Sequence, residues 1–332
     1  MTKYRLRALL VFIAAFCFSA AASCSGEKRT FALTEDLSIG TESGDDNLIF
    51  ASVASIGLDA TGNIYLLDGA SKVRVQVFDP QGKFLKNIAI PQGQGPAEAS
   101  ELAGVAVGPS GTIYVLDSGG SKVMLFDKNG TFLRQFKIDF EPRDIGLLPG
   151  EQVVLLGLSR GALIHVYDKE GRPLASYSEP FEVPSNLSAY KDVPQLKCPL
   201  RFSVGLDGRV FVFNPHRFQV LIYRNAKFET KVEGKSDLFV PAQVAHANSE
   251  SIGMVFPFLT IFGTGDRLYV TVQRSPLKKE KGQNEMIIYE KGERVGSLGL
   301  SGQPMAIDAQ GRLYCSEETD FPRLVRYVVR EK

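Results

Sequence analysis

Three short patterns in this chain have residue types that could do chemistry. Gly157-Leu158-Ser159-Arg160-Gly161 has the spacing that lifts a serine nucleophile onto a strand-to-helix elbow, with a histidine and an acid delivered by later loops. Here the strand-like run ALIHVYD follows at once, so the pattern reads as the tip of a β-hairpin. Ser188-Ala189-Tyr190-Lys191 has the S-x-x-K spacing of a serine activated by lysine, but no helical apolar period surrounds it, and it reads as a loop. Gly93-Gln94-Gly95-Pro96 is glycine-rich but lacks the Gly-Lys-Ser/Thr that cradles phosphate, and reads as a turn. The three histidines are scattered: His165 alternates within a strand, His216 lies in the hairpin tip NPHRF, and His246 lies in a long connection. Two loop histidines fall short of a metal set, so no metal or cofactor is expected. Cys198 and Cys315 lack metal-ligand spacing; one bridge between them stays open in an oxidising compartment.

The elements that must position any site are repeated. A glycine turn followed by an alternating apolar strand occurs at Gly62 (GNIYLL), Gly111 (GTIYVL), Gly150 (GEQVVLL), Gly208 (GRVFVF), Gly265 (GDRLYV) and Gly311 (GRLYCS). A second strand follows each copy, as in VRVQVFD and KVMLFD, and a further turn and strand follow the first five. A shorter strand precedes each anchor. Four short strands per unit, repeated at this spacing, are the blades of a β-propeller. The expected fold is therefore all-β: a six-bladed β-propeller of four-stranded antiparallel blades over 30–332. The sixth unit lacks its fourth strand, and residues 30–37 (TFALTEDL) are expected to supply it and close the ring, which removes an exposed edge.

The first residues are read apart from this fold. Lys3, Arg5 and Arg7 precede an apolar run of 11 residues, and small residues lead to Cys24, the order of a secretory signal peptide over 1–23. The apolar run is too short to span a bilayer as a helix. The net charge of +1 gives no global case for nucleic acid.

Ala21-Ala22-Ser23-Cys24 resembles a bacterial lipobox, which implies acylation of Cys24, cleavage before it and a membrane-held protein with a tether over 24–29. Ala21 stands where Leu is usual and Ser23 where Gly or Ala is commoner, so an ordinary cut near Ala22 stays open. The implied location is the periplasmic or outer-membrane face of the envelope. GNIYLLDGASKVRVQVFDPQGKFL resembles an NHL repeat, and the second copy matches it through Gly111, Tyr114, Asp117, Lys122, Val123, Phe126, Asp127 and Gly130. More narrowly, the chain is similar to six-bladed propeller lipoproteins of bacterial envelopes. Their first inter-blade loop often reads Gly-x-Gly-Pro-Gly-Glu; here it reads Gly93-Gln94-Gly95-Pro96-Ala97-Glu98. In NHL-like blades the acid matching Asp68 and Asp117 pairs with a base as framework, a role that falls to Lys122 in the second copy.

Two functions remain. The first is a non-catalytic propeller binding a protein, a peptide or an anionic small molecule. The second is an enzyme similar to metal-dependent lactonases and lyases of the six-bladed class, whose cation sits at the channel mouth. The residues beside the six inner-strand starts, Ser52, Glu101, Arg143, Arg201, Thr260 and Gln303, are poor in carboxylates, which favours the first. Arg143 and Arg201 by the channel mouth, with Arg160, Arg217 and His216 at hairpin tips of blades three and four, make an acidic ligand the expectation, with Glu101 at the same rim. Pairing of these arginines with Asp144, Asp207 or blade-junction carbonyls is the competing expectation. Connections over 178–200 and 233–257 exceed ordinary turns and are expected to form an ordered lid. The run Lys278-Lys279-Glu280-Lys281 reads as a solvated loop.

Overall fold

The hairpins are set by local turn chemistry. In Asp79-Pro80-Gln81-Gly82-Lys83 the Asp79 carboxylate accepts the backbone N–H groups of Gln81 and Lys83, both at 2.9 Å, while Gly82 takes a φ of 82° that a side chain would resist. Asp59, Asp127, Asp168 and Asp308 accept the N–H four residues on in the same way. These turns cut the chain into strands of three to ten residues.

The computed structural model describes residues 29–69, 74–247, 252–257, 259–273, 284–318 and 320–332. The leader, Cys24 and the run Lys278 to Lys281 lie outside the described residues. Strand β1 (Phe31–Ile39) comes first. Blade one is β2 (Val53–Leu58), β3 (Ile64–Asp68), β4 (Arg74–Phe78) and β5 (Phe84–Ala89). Blade two is β6 (Leu102–Val107), β7 (Ile113–Asp117), β8 (Lys122–Phe126) and β9 (Phe132–Lys137). Blade three is β10 (Asp144–Leu148), β11 (Gln152–Ser159), β12 (Ala162–Tyr167) and β13 (Pro173–Tyr177). A 3₁₀ segment (Ser185–Tyr190) and one helical turn, α1 (Pro194–Lys197), lead into blade four: β14 (Phe202–Val204), β15 (Arg209–Phe213), β16 (Gln219–Arg224) and β17 (Lys227–Glu233). A separate hairpin, β18 (Gln243–Ala247) and β19 (Ile252–Val255), precedes blade five: β20 (Leu259–Thr264), β21 (Arg267–Val272), β22 (Asn284–Glu290) and β23 (Glu293–Leu300). Blade six is β24 (Gln303–Ile307), β25 (Arg312–Glu318) and β26 (Pro322–Glu331), completed by β1.

Within the blades pairing is antiparallel, and the inner strands contact one another in the order β2, β6, β10, β14, β20, β24 and back to β2. The chain is thus a closed six-bladed β-propeller. Closure is the expected one: β1 pairs with β26 from Phe31 opposite Glu331 to Ile39 opposite Leu324. Every inner strand begins at one rim, the upper, where inter-blade connections arrive. The glycine turns close the lower rim.

The core lies between blades. Runs such as IYLL and IYVL are apolar at every position because both faces of a blade are covered. Ile113 and Val115 pack toward blade one, whereas Tyr114 and Leu116 pack toward blade three. Six clusters of this kind fill the six interfaces. Gly146 lets blades three and four approach, since a Cβ there would sit 2.6 Å from the Val204 side chain.

Blade junctions share one device. Asp68 accepts the N–H groups of Ala51 and Ser52 and pairs with Arg74 at 3.2 Å. Asp117 accepts from Ser100, Glu101 and Gly120 and faces Lys122 at 3.7 Å. Glu317 takes the same place in blade six, with Arg323 at 2.8 Å. The framework role read for Asp68 and Asp117 holds. Gly157 to Gly161 is the β11–β12 hairpin, as expected, but Ser188 and Tyr190 are in the 3₁₀ segment and not in a plain loop. The cause is tertiary: Leu187 is buried against the neighbouring insertion, which orders a segment with no helical period of its own.

Candidate functional site

The channel along the propeller axis holds a cavity of about 260 Å³. Around its upper part are Ser55, Asp144, Arg201, Ser203, Thr260 and Gln303; around its lower part the side chains are apolar, among them Leu58, Val107 and Ile307. The arrangement follows from strand register, because the first residues of each inner strand stand at the upper rim.

Arg201 is the centre of this site. It precedes β14 in blade four, and its Nη2 donates to the carbonyl of Ala54 in blade one at 3.2 Å. Blades one and four lie opposite each other in a six-membered ring, so the guanidinium bars the channel across its width. Asp144, from blade three, lies beside it, with Oδ1 3.7 Å from Nη1. Asp144 also accepts the N–H of Ile145 at 3.0 Å and of Phe202 at 3.3 Å. Burial raises the pKa of this carboxyl, and the opposing pull of Arg201 and the two N–H groups does not cancel that rise. The side-chain oxygens of Ser203 and Thr260 are buried in the channel wall without a partner among the described residues. A guanidinium with donors to spare and two unpaired hydroxyls can hold a carboxylate or phosphate oxygen.

The other expected residues are placed elsewhere. Arg143 is half-buried outside the channel lining, and its charge acts on the Cys198 thiol in the insertion behind blade three. Arg160 makes an exposed ion pair with Asp139. Arg217 is exposed at the β15–β16 tip. His216, beside it, donates through Nε2 to the carbonyl of Leu196 at 2.7 Å and so ties the 178–200 insertion to blade four; burial lowers its pKa. Glu101 is exposed, and its backbone meets Asp117 and Ser118. The structure therefore brings Arg201 together with Asp144, Thr260 and Gln303, and spreads the remaining candidates over the upper face. The Arg201–Asp144 pairing was legible as an alternative; Ser203 was missed because nothing in a three-residue strand says which residue faces the channel.

His165 is satisfied on both sides, with Nδ1 2.9 Å from Ser176 Oγ, Nε2 3.1 Å from the Gly157 carbonyl, and the Phe140 ring stacked at 4.4 Å. Both cysteines are free and buried, Cys198 in the 178–200 insertion and Cys315 in β25; burial pushes the Cys198 thiol up to about 12 and Cys315 in the same direction. Among the described residues no three His, Cys, Asp or Glu side chains converge as a metal site would need. The two insertions pack on each other through Leu187, Leu196 and Ala242, with Tyr190, Met254 and Phe256 around them, an ordered body on the upper face.

A family model described as DUF5128, a 6-bladed beta-propeller, matches residues 41–172, about two-fifths of the chain. No curated protein matches the sequence. A protein of Bacteroides fragilis described as exported has a similar structure, with a TM-score of 0.62 at 13% identity, covering 91% of this chain and 95% of that one. A member of the duf4221 family from Bacteroides vulgatus gives 0.61 at 12% identity, covering 92% and 100%. A catalytically inactive virginiamycin B lyase from Staphylococcus aureus, solved with quinupristin, gives 0.50 at 13% identity, covering 90% and 99%. At these identities the likeness is one of fold.

Proposed function

We propose that the chain is a non-catalytic binding propeller of the bacterial cell envelope. It takes an acidic ligand, a carboxylate or phosphate presented by a small molecule or peptide, at the upper channel mouth. The observation that carries this reading is the Arg201 guanidinium held across the channel, in a lining that also includes Ser203 and Thr260. Arg143 and Arg217 add positive potential around the same face, whereas Arg160 is offset by Asp139. The first two blades are of NHL type in this reading.

The test is calorimetric titration with a panel of mono- and dicarboxylates and phosphates. Arg201→Gln should weaken the best binder by about ten- to a hundredfold, the loss of hydrogen bonds to a charged group. Asp144→Asn should act in the opposite direction and tighten it, since the competing carboxylate is gone. Native affinity should rise as pH falls through the raised pKa of Asp144, because the protonated acid no longer competes for Arg201. Binding unchanged by Arg201→Gln and insensitive to salt would remove the reading.

The envelope location rests on Cys24 and the export signal before it, in keeping with the description of the Bacteroides fragilis neighbour. Cys24→Ala should abolish labelling by a fatty-acid analogue and move the protein from the membrane fraction to the soluble fraction. Labelling that persists in that variant would rule out acylation at Cys24.

A further inference from the structure

The cavity at Arg201 is one space with two unlike ends. Among the described residues only two charged ones line it, Arg201 and Asp144, and both stand at its upper part. Further down, each inner strand adds one half-buried apolar side chain: Leu58, Val107, Leu147, Val204, Phe262 and Ile307, from blades one to six in turn. These six come from separate blades but converge on one axis. Leu206, in the turn between β14 and β15, lines the same cavity and is 62% exposed, so the space reaches the lower rim.

Asp144 balances the charge of Arg201, so hydrogen bonding, and not net charge, chooses what binds at the upper end. Nη2 donates to the Ala54 carbonyl, whereas Nη1 is 3.7 Å from Asp144 Oδ1, beyond hydrogen-bond length. A guanidinium carries five N–H donors, and the Ala54 carbonyl is the one acceptor that Arg201 has within hydrogen-bond distance among the described residues. The Arg201 side chain is 30% exposed, which leaves the remaining donors open to the channel. A carboxylate meets them with two coplanar oxygens. A second charge on the same ligand would lie among the six apolar side chains without a partner, which is costly. The volume limits the length. At about 30 Å³ for each water-sized group, the cavity of about 260 Å³ holds roughly eight or nine non-hydrogen atoms, a carboxylate with about five or six further carbons.

We propose that the ligand is an aliphatic monocarboxylate of about six or seven carbons, with its carboxylate at Arg201 and its chain along the lower channel. This ligand class rests on the acid-binding reading of Arg201 and narrows it. Phosphates, dicarboxylates and peptides fit the cavity poorly, the first two by charge and the last by size.

The test is titration of the native protein with straight-chain acids from acetate to decanoate, and with adipate as a doubly charged ligand of hexanoate's length. Affinity is expected to rise by up to about fourfold for each added methylene, the ~0.8 kcal/mol of burying one, and to stop rising near about seven carbons. Adipate should bind at least about tenfold more weakly than hexanoate. Val107→Phe, which narrows the lower channel, should leave acetate unchanged and weaken hexanoate by about tenfold, the loss of roughly two buried methylenes. Val107→Thr, of similar size but polar, is a second probe and should weaken hexanoate about two- to fourfold. Melting curves matching the native one confirm that the variants fold. If no acid binds, or if Arg201→Gln binds the series as the native chain does, the reading of the Arg201 site fails and the ligand class with it. If binding depends on Arg201 but does not grow with chain length, or if adipate equals hexanoate, the acid site stands and the ligand class is overturned. Hexanoate binding that neither Val107 variant alters would overturn it in the same way.

Discussion

A chain that begins at Ser38 is expected to melt about 10 °C or more below the chain that begins at residue 25. Residues 31–37 form most of β1, the fourth strand of blade six. Their removal exposes the cluster that buries Phe31 between blades five and six, and burying one such ring stabilises by about 2–3 kcal/mol. It also strips Asp36 from Arg326, a buried guanidinium held at 2.8 Å, and a lost bond to a charged group costs about 1.5–3 kcal/mol. For a domain of this size each kcal/mol moves the midpoint by roughly 2 °C or slightly less, so these two losses and the broken ladder together reach the stated shift. The freed edge of β26 should also promote association on heating. Calorimetry at two protein concentrations reads both effects. A midpoint within 2–3 °C of the longer chain, an interval taken from the same scaling, would mean that closure contributes little.

The second large effect is expected at the junction of blades one and two. Asp117 is wholly buried, Lys122 nearly so, and the carboxylate also holds the N–H groups of Ser100, Glu101 and Gly120. The Lys122 ammonium donates to the Gly95 carbonyl at 3.1 Å, which fixes the incoming loop. Asp117→Ala leaves a buried cation and three amides without their acceptor, a loss of about 3–5 kcal/mol by urea unfolding. Asp117→Asn with Lys122→Met should recover most of it, because the amide oxygen still accepts while the buried charge is gone. If the double variant is no more stable than Asp117→Ala, the charge is not what makes the site costly to disturb.

The architecture was legible because each of its parts is local. The strands IYLLD and IYVLD, the Asp-x-x-Gly turns and the missing fourth strand of the last unit are all read from neighbours in sequence, and they dictate blades, hairpins and closure. The site is not local. Arg201 and Ala54 are 147 residues apart, and only the closed ring makes them face each other. Arg143 and Arg201 occupy equivalent places before their inner strands, yet one lines the channel and the other does not. The 3₁₀ segment was hidden for the same reason, since Leu187 gains its burial from Ala242 in a different insertion. Ala97 marks a smaller departure. It takes a left-handed φ of 60° that glycine would adopt more readily, so the turn survives at a cost of about 1 kcal/mol without the residue that would announce it.

The small core where the two insertions meet, around Leu187, Leu196 and Ala242, has thermodynamic independence of a kind the blades lack. Each blade shares its side chains with two neighbours, so none can open without breaching the ring. The insertions share Leu187, Leu196 and Ala242 with each other, but Phe181 and Cys198 join the cluster between blades three and four, and Phe239 packs on Phe213 and Phe218 beside blade five. The satellite core around Leu187 can therefore open while Phe181, Cys198 and Phe239 stay anchored in the inter-blade cores. Amide hydrogens of Leu187, Leu196 and Ala242 should exchange through a shared sub-global opening, well below the free energy that protects the amides of Val115 or Val154. The upper face would then be reshaped at a frequency set by a small satellite core, against a channel whose walls do not move.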